Sequence, residues 1–397
     1  MNIPELNSLI SQEYLTNIRR KLHMYPEVGF DLPKTIALVK SELDAMGVQH
    51  TEKYGKSSVV ATINEHKENF TIGIRADMDA LPIQEKNDVP YKSRHDGKMH
   101  ACGHDAHTAI LLGTVKALNQ IKDEIDCRVM FLFQPSEEGA RSGAKLMVED
   151  GVMDNIDIII ACHTDNAYPV GKVGFINGPA LASNRVFEIE ISGKTAHAVM
   201  PHTGIDAIAV AHRIYGDIHL MLAREMDPFA LYAFNIGTIQ GGTAVNVVAA
   251  QAKMTGTLRT HCDEVDAYVA KRMEDIVTNV AREVGATTRV VTKKTLPPVY
   301  NDEKINKRLM DAAAKVVGRE NVFFMEKPKM SSEDFSMYLT KKPGVFFRIC
   351  TRNEDKGFTG MPHNSDWQID EDALPIGVKV FTQFVIDNMG GLEREAK

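Results

Sequence analysis

The sequence predicts an α/β fold: a mostly parallel sheet covered by helices, interrupted by a smaller inserted ferredoxin-like α+β domain. Two observations carry this expectation. Short apolar runs, "SSVVATI" (57–63), "FTIGIRA" (70–76), "CRVMFLF" (127–133) and "DIIIACH" (157–163), alternate with helical or loop segments. Strands apolar along their whole length belong to sheets buried on both faces. From about residue 184 to 294 the order becomes strand-helix-strand-strand-helix-strand, the split unit of ferredoxin-like domains.

The elements follow in order. Leu6, Leu9, Ile10, Leu15, Ile18 and Leu22 share one helical face, stopped near Pro26. A second helix is expected from Pro33, suited to a first turn, to Gly47, suited to a C-terminal cap. After the four apolar runs, "NRVFEIEISG" (184–193) alternates as a half-buried strand does. An amphipathic helix over 204–223 follows, then strands near 229–240 and 245–258, a helix over 263–284 and a strand over 287–294. "KKTLPPVYNDE" (293–303) reads as a linker, because Pro297 and Pro298 break helix and strand alike. Beyond it, "NKRLMDAAAKVVG", "PGVFFRIC" and "ALPIGVKVFTQFVIDNM" resume the first pattern. The expected domains are 1–181 joined with 295–397, and an insert at 182–294.

Composition narrows the function classes. The 397 residues suit two or three domains, and 44% hydrophobic with 25% charged content is ordinary for a globular protein. A net charge of −7 gives no electrostatic reason to expect nucleic acid or an anionic membrane as partner. No stretch approaches the roughly 18 apolar residues of a membrane span. The first twenty residues lack the basic start and apolar run of a signal peptide. Five cysteines (102, 127, 162, 262, 350) show no paired spacing, and the odd count argues against a disulfide framework. A reduced, cytoplasmic enzyme is the expectation.

Three polar clusters directly follow apolar runs: "RADMD" (75–79), "QPSEEG" (134–139) and His163. In parallel α/β sheets ligands bind at the carboxyl ends of strands. A fourth cluster, "KMHACGHDAHTAILLG" (98–113), holds His100, Cys102, His104, Asp105 and His107 before a helical pattern. Cys102 and His104, two apart, point to the same side in extended backbone. Their spacing is too short for the usual structural zinc pair. By itself the stretch also accommodates a nucleophilic cysteine with a distant histidine base, or an inert loop. Adjacent Glu137 and Glu138 suit a solvated turn or a helix start; they equally suit one metal ligand beside one proton acceptor. Asp77 and Asp79 are candidate ligands or groups that orient a ligand histidine. His163 and His363, in "GMPHNSDW", are unremarked in isolation. A metal centre makes the set coherent: one thiolate, one carboxylate and three neutral imidazoles sum to about −2 against +4 for two divalent ions.

Taken together, "MHACGHD", "PSEEG" and "GKTAHAVMPHTGIDAI" resemble the aminoacylase/carboxypeptidase-type family of binuclear metallopeptidases. Within it, they are most similar to the amidohydrolase branch of hippurate hydrolases, N-acyl-amino-acid deacylases and auxin-conjugate hydrolases. The resemblance runs from "LHMYPEVGF" (22–30) through "RADMDALPI" (75–83) to the His363 loop. It implies that Cys102, His104, Glu138, His163 and His363 ligate two metals, manganese or zinc foremost and cobalt or nickel as alternatives. It implies that Glu137 activates the attacking water, and that Asp79 orients a ligand. His197 resembles a histidine that completes a neighbouring subunit's site by polarising the amide carbonyl. Asn246 and Arg259 resemble residues that contact the substrate's carbonyl or carboxylate. The insert resembles a lid that also carries a homodimer interface. The implied reaction is metal-dependent hydrolysis of small N-acyl amino acids, with a dipeptidase or aminopeptidase, or a non-catalytic binding protein, as alternatives. The chain departs from its relatives at "TDNAYP" after His163 and at "HNSDWQID", both expected where substrate side chains are sensed.

Overall fold

The computed structural model describes residues 3–392, which fall into two compact units. One runs up to Gly178 and resumes with Tyr300–Lys327 and the residues from Asp334 onward; the other is Pro179–Val299 with Pro328–Glu333. The divisions thus lie a few residues from the expected 181/182 and 294/295, and 328–333 was not expected in the second unit. That segment belongs there through its backbone: Lys329 N–H donates to Ala180 O and Ala182 N–H to Ser331 O, both at 3.0 Å. Such long-range pairing leaves no mark in a local pattern.

In chain order the elements are α1 (Ile3–Leu9), α2 (Gln12–Met24), α3 (Pro33–Ala45), β1 (Gln49–Thr51), β2 (Val59–Ile63), β3 (Thr71–Asp77), α4 (His104–Gln120), β4 (Arg128–Gln134), α5 (Gly143–Glu149), β5 (Ile158–Pro169), β6 (Val173–Phe175) and β7 (Gly178–Leu181). The second unit supplies β8 (Asn184–Ser192), β9 (Ala196–His197), α6 (Ala207–Arg224), β10 (Tyr232–Gly241), β11 (Val247–Val248), β12 (Gln251–Thr260), α7 (Asp263–Val284) and β13 (Thr287–Leu296). The chain closes with β14 (Val299–Asn301), α8 (Glu303–Val317), β15 (Val322–Phe324), α9 (Ser336–Leu339), β16 (Gly344–Arg352) and α10 (Leu374–Asn388).

The large sheet has eight strands in the order β1-β2-β4-β3-β5-β16-β6-β15. Its centre, β4-β3-β5-β16, is parallel, while β1, β2 and the β16–β6 pair are antiparallel. Every residue of β3 and β4 is buried, so both faces are covered, as apolar strands require. α4 is buried along nearly its whole length and packs against α2, α10 and β3. The expected single opening helix is two. Ser11, in extended backbone, accepts the Tyr14 N–H on its hydroxyl and starts α2 afresh. β5 does not end at His163 but continues to Pro169.

In the second unit the sheet order is β10-β12-β8-β13, all antiparallel, the ferredoxin-like arrangement. α6 and α7 bury Ile214, Ile218, Met273 and Val277 against Ile189, Ile191 and Met254. The expected strand at 245–258 is two pieces. Val247–Val248 pairs with Ala196–His197, and the sheet strand begins only at Gln251.

Candidate metal centre

β3 and β4 run in parallel register with Asp77 opposite Gln134, so the loops carrying Asp79 and Glu137–Glu138 leave the sheet side by side. Buried Asp79 ties them together. Its Oδ1 accepts the Glu137 N–H (2.9 Å) and its Oδ2 the Glu138 N–H (3.2 Å). Amide bonds to a carboxylate are among the stronger hydrogen bonds. Ser136 enters the turn at φ +52°, uncommon for a residue other than glycine, and its Oγ donates to Arg141 O (2.8 Å). The two carboxylates stay within 4.8 Å of one another and of a His104 nitrogen, but their partners differ. Glu138 Oε1 lies 3.1 Å from His363 Nε2, whereas Glu137 Oε1 accepts the Asp334 N–H at 3.4 Å.

Cys102 and His104 are presented together by Gly103, at φ +91° immediately before α4. A Cβ there would sit 2.2 Å from Thr164 Oγ1, so this close approach to β5 requires glycine. His104 is 1% exposed, with Nδ1 3.6 Å from Asp79 Oδ1 and Nε2 3.7 Å from Asp77 Oδ2. These distances are too long for hydrogen bonds. Burial disfavours its charge, but Asp77, Asp79 and Cys102 outweigh burial and hold its pKa well above the ordinary value.

His163 lies within β5. Its Nδ1–H donates to Thr164 O (2.7 Å), leaving the Nε2 lone pair 3.4 Å from Cys102 Sγ. Burial, reinforced by His107 and Arg348, depresses its pKa well below the ordinary value. It is therefore the neutral imidazole that metals bind. His363 is held at φ +68° with its N–H on Ala101 O (2.7 Å).

Three more of the polar residues named in the sequence are buried. His107 is neither solvated nor free to ligate. Thr164 N–H donates to its Nε2 (2.9 Å), so Nδ1 carries the proton and donates to Asp77 Oδ1 (2.6 Å). Asp77 is occupied on both oxygens, since Arg75 Nη1 donates to Oδ2 at 2.6 Å. Burial alone would raise the Asp77 pKa, but Arg75, His104 and His107 hold it far below the usual carboxylate range. Asp77 is thus a fixed anion behind His104. His100 is 1% exposed, and burial pushes its pKa down to about 3. Local sequence missed Arg75 and Asp334, whose side chains meet at 3.0 Å behind the centre. An arginine inside an apolar strand was the available signal.

The donor atoms of Cys102, His104 and His163 lie within 4.8 Å of one another, as do those of Cys102, Glu138 and His363. Cys102 belongs to both triplets. Neither nitrogen of His104 makes a hydrogen bond, nor does Glu138 Oε1 despite its nearness to His363. Buried polar atoms ordinarily have partners. Imidazole and carboxylate atoms without them, converging with a thiol, fit divalent cations. Burial pushes the Cys102 thiol up to about 12, and a coordinated cation would deprotonate it.

In the second unit β9 and β11 set Val247 opposite His197, and Ala198 N–H donates to Asn246 O (3.0 Å). The structure thus brings His197 and Asn246 together, both exposed. Arg259 stands on β12 and donates from Nη1 to Ser332 Oγ, a partner not expected from sequence.

An α/β unit with converging metal-binding donors and a second glutamate beside them has the makings of a hydrolytic enzyme. A profile of peptidase family M20/M25/M40 matches residues 73–387. Thermostable carboxypeptidase 1 of Saccharolobus solfataricus is 37% identical over 368 residues, 92% of this chain and 93% of that protein. The N-acetyl-L-cysteine deacetylase of Bacillus subtilis is 36% identical over 368 residues, 91% of this chain and 85% of that protein. A solved Bacillus subtilis structure, described as a dinuclear metal-binding peptidase of the M20 family, has a TM-score of 0.81 at 33% identity, covering 94% of this chain and 97% of that one. The chain belongs to the M20/M25/M40 peptidase family and matches its amidohydrolase branch.

Proposed function

We propose that the protein hydrolyses the amide bond of N-acyl amino acids, such as acetyl or benzoyl conjugates. Two divalent ions would be held by Cys102, His104, Glu138, His163 and His363. The carrying observation is the glutamate pair on the Asp79-held turn: Glu138 joins a Cys102 triplet, while Glu137 comes within 4.8 Å of Glu138 and of a His104 nitrogen without joining either Cys102 triplet. The similarity to an N-acetyl-L-cysteine deacetylase supports the substrate class. Bound ions supply Lewis acidity, which polarises a carbonyl and brings the pKa of water near neutrality. Glu137 accepts the proton of the attacking water and delivers it to the leaving nitrogen as the C–N bond breaks. Asp79 keeps Glu137 in place through that transfer. His197 would donate to the carbonyl oxygen of a substrate in a neighbouring subunit, and Asn246 and Arg259 would hold its carbonyl or carboxylate. A homodimer through the second unit agrees with β10, a ten-residue strand that pairs only with β12 among the described residues. Such an edge is open to pairing with another chain.

Manganese or zinc is the proposed metal, with cobalt or nickel as alternatives. Five free cysteines support a cytoplasmic location. No helix among the described residues is long and apolar enough to cross a membrane. Similarity to a carboxypeptidase favours a second reading, cleavage of short peptides by the same centre. Metal-stripped protein reconstituted with each ion, then assayed on N-acetyl and N-benzoyl amino acids and on dipeptides, separates the two. Higher kcat/KM on the acyl amino acids is expected; higher kcat/KM on dipeptides would overturn the first reading.

A further inference from the structure

We propose that Asn166 positions the His363 loop and thereby sets the affinity of the Cys102–Glu138–His363 triplet for its ion. This rests on the two-ion reading above. Sequence comparison put the "TDNAYP" departure where substrate is sensed, but Asn166 is 2% exposed and faces the protein's own backbone. Its Nδ2 donates to Gly360 O (3.0 Å) and to Gln368 O (2.8 Å), and its Oδ1 accepts from Thr351 Oγ1. Both amide hydrogens are used. The two carbonyls lie on either side of His363, so one side chain fixes both ends of the loop that carries it.

The loop depends on this brace. His363 is half-exposed, and its backbone adopts φ +68°, a strained conformation for a residue other than glycine. It persists only where surroundings impose it. The other anchors are Ala101 O for the His363 N–H (2.7 Å), Ser365 O for the Lys86 N–H (2.8 Å), Trp367 O for Asn87 Nδ2 (3.2 Å) and Asn87 Oδ1 for Gln368 Nε2 (3.1 Å). An apolar residue at 166 would leave two carbonyls without their donor, and an unsatisfied buried group is costly. The loop would shift to find other partners, taking His363 away from Glu138 and Cys102. His163, three residues earlier on the same strand, is oriented by Thr164 O. The first triplet would therefore be spared.

The test is calorimetric titration of metal-stripped full-length protein with Mn²⁺ and, separately, Zn²⁺. Wild type should take up two equivalents. Asn166→Ala and Asn166→Leu should bind one equivalent as wild type does and the second roughly 10–100-fold more weakly. His363→Ala gives the reference for complete loss of the second equivalent. Limited proteolysis of the metal-free variants should cut faster within 353–365. If position 166 tolerates neither change, Thr351→Val, which removes only the bond to Oδ1, should weaken the second equivalent to a smaller degree. Two equivalents bound with affinities within about threefold of wild type, well short of the usual outer-shell effect, would overturn the proposal. Wild type binding fewer than two equivalents would overturn the two-ion reading itself.

Discussion

At the scale of single residues, Gly103 shows how tightly the centre is built. Both its left-handed backbone and its closeness to Thr164 exclude a side chain. Gly103→Ala is expected to cost about 1–3 kcal/mol from the backbone conformation alone, and to displace Cys102 and His104. Thermal unfolding with metal quantification checks both, and a variant melting with wild type while retaining its metal would refute this role for Gly103. Asp79→Ala should lower kcat by roughly 10–100-fold, as loss of an orienting partner commonly does, because Glu137 and Glu138 lose their shared acceptor. Steady-state kinetics with metal quantification reads it; unchanged kcat would contradict it. Glu137, Glu138 and His163 stood out as candidates because they follow apolar runs, and Cys102 and His104 because they crowd before a helical pattern, whereas His363 is bland alone and entered only through the family resemblance. The roles of Arg75, Asp334 and His107 were not legible. They are hydrogen bonds to partners far away in sequence, such as His107 with Thr164. Asn166 was not singled out within "TDNAYP", since a local pattern cannot tell a side chain facing substrate from one facing backbone.

At the scale of elements, the ferredoxin-like order was legible because alternation and amphipathic periods persist over whole strands and helices. Breaks within elements were not. Ser11 divides the opening helix by capping, and Val247–Val248 leaves the sheet to pair with β9. The packing of α6 on α7 carries a pH dependence. Glu225, directly after α6, accepts from Arg272 Nε (2.7 Å), Arg272 Nη2 (2.8 Å) and Tyr268 OH (2.8 Å) on α7. Hydrogen bonds from Arg272, then Tyr268, hold its pKa down to about 2, against about 4.3 in an unfolded chain. A depressed carboxylate stabilises the fold above about pH 4.3 and loses that contribution as pH falls toward 2. Glu225→Gln should therefore melt below wild type at pH 6, with the gap roughly halved at pH 3 and closing as pH approaches 2. A gap independent of pH would contradict this assignment.

At the scale of the molecule, sequence and structure agree on an α/β unit interrupted by a ferredoxin-like one, because each has its own hydrophobic core. The exception is the segment 328–333, which returns to the second unit through backbone pairing and side-chain bonds such as Arg259 with Ser332. Ions bound only by the folded chain stabilise it by mass action, about 2.7 kcal/mol for a ligand at 100 times its Kd. Chelation should accordingly lower the unfolding temperature, and readdition of the ion should restore it; a midpoint indifferent to both would contradict a folded-state metal centre. The most direct test of the account is Glu137→Gln, with bound metal and turnover of an N-acyl amino acid measured on the same preparation. Two ions retained with kcat reduced by roughly 10²–10⁴-fold, the usual range for a general base, is the expected result. Turnover at the wild-type level with the metals in place would contradict it.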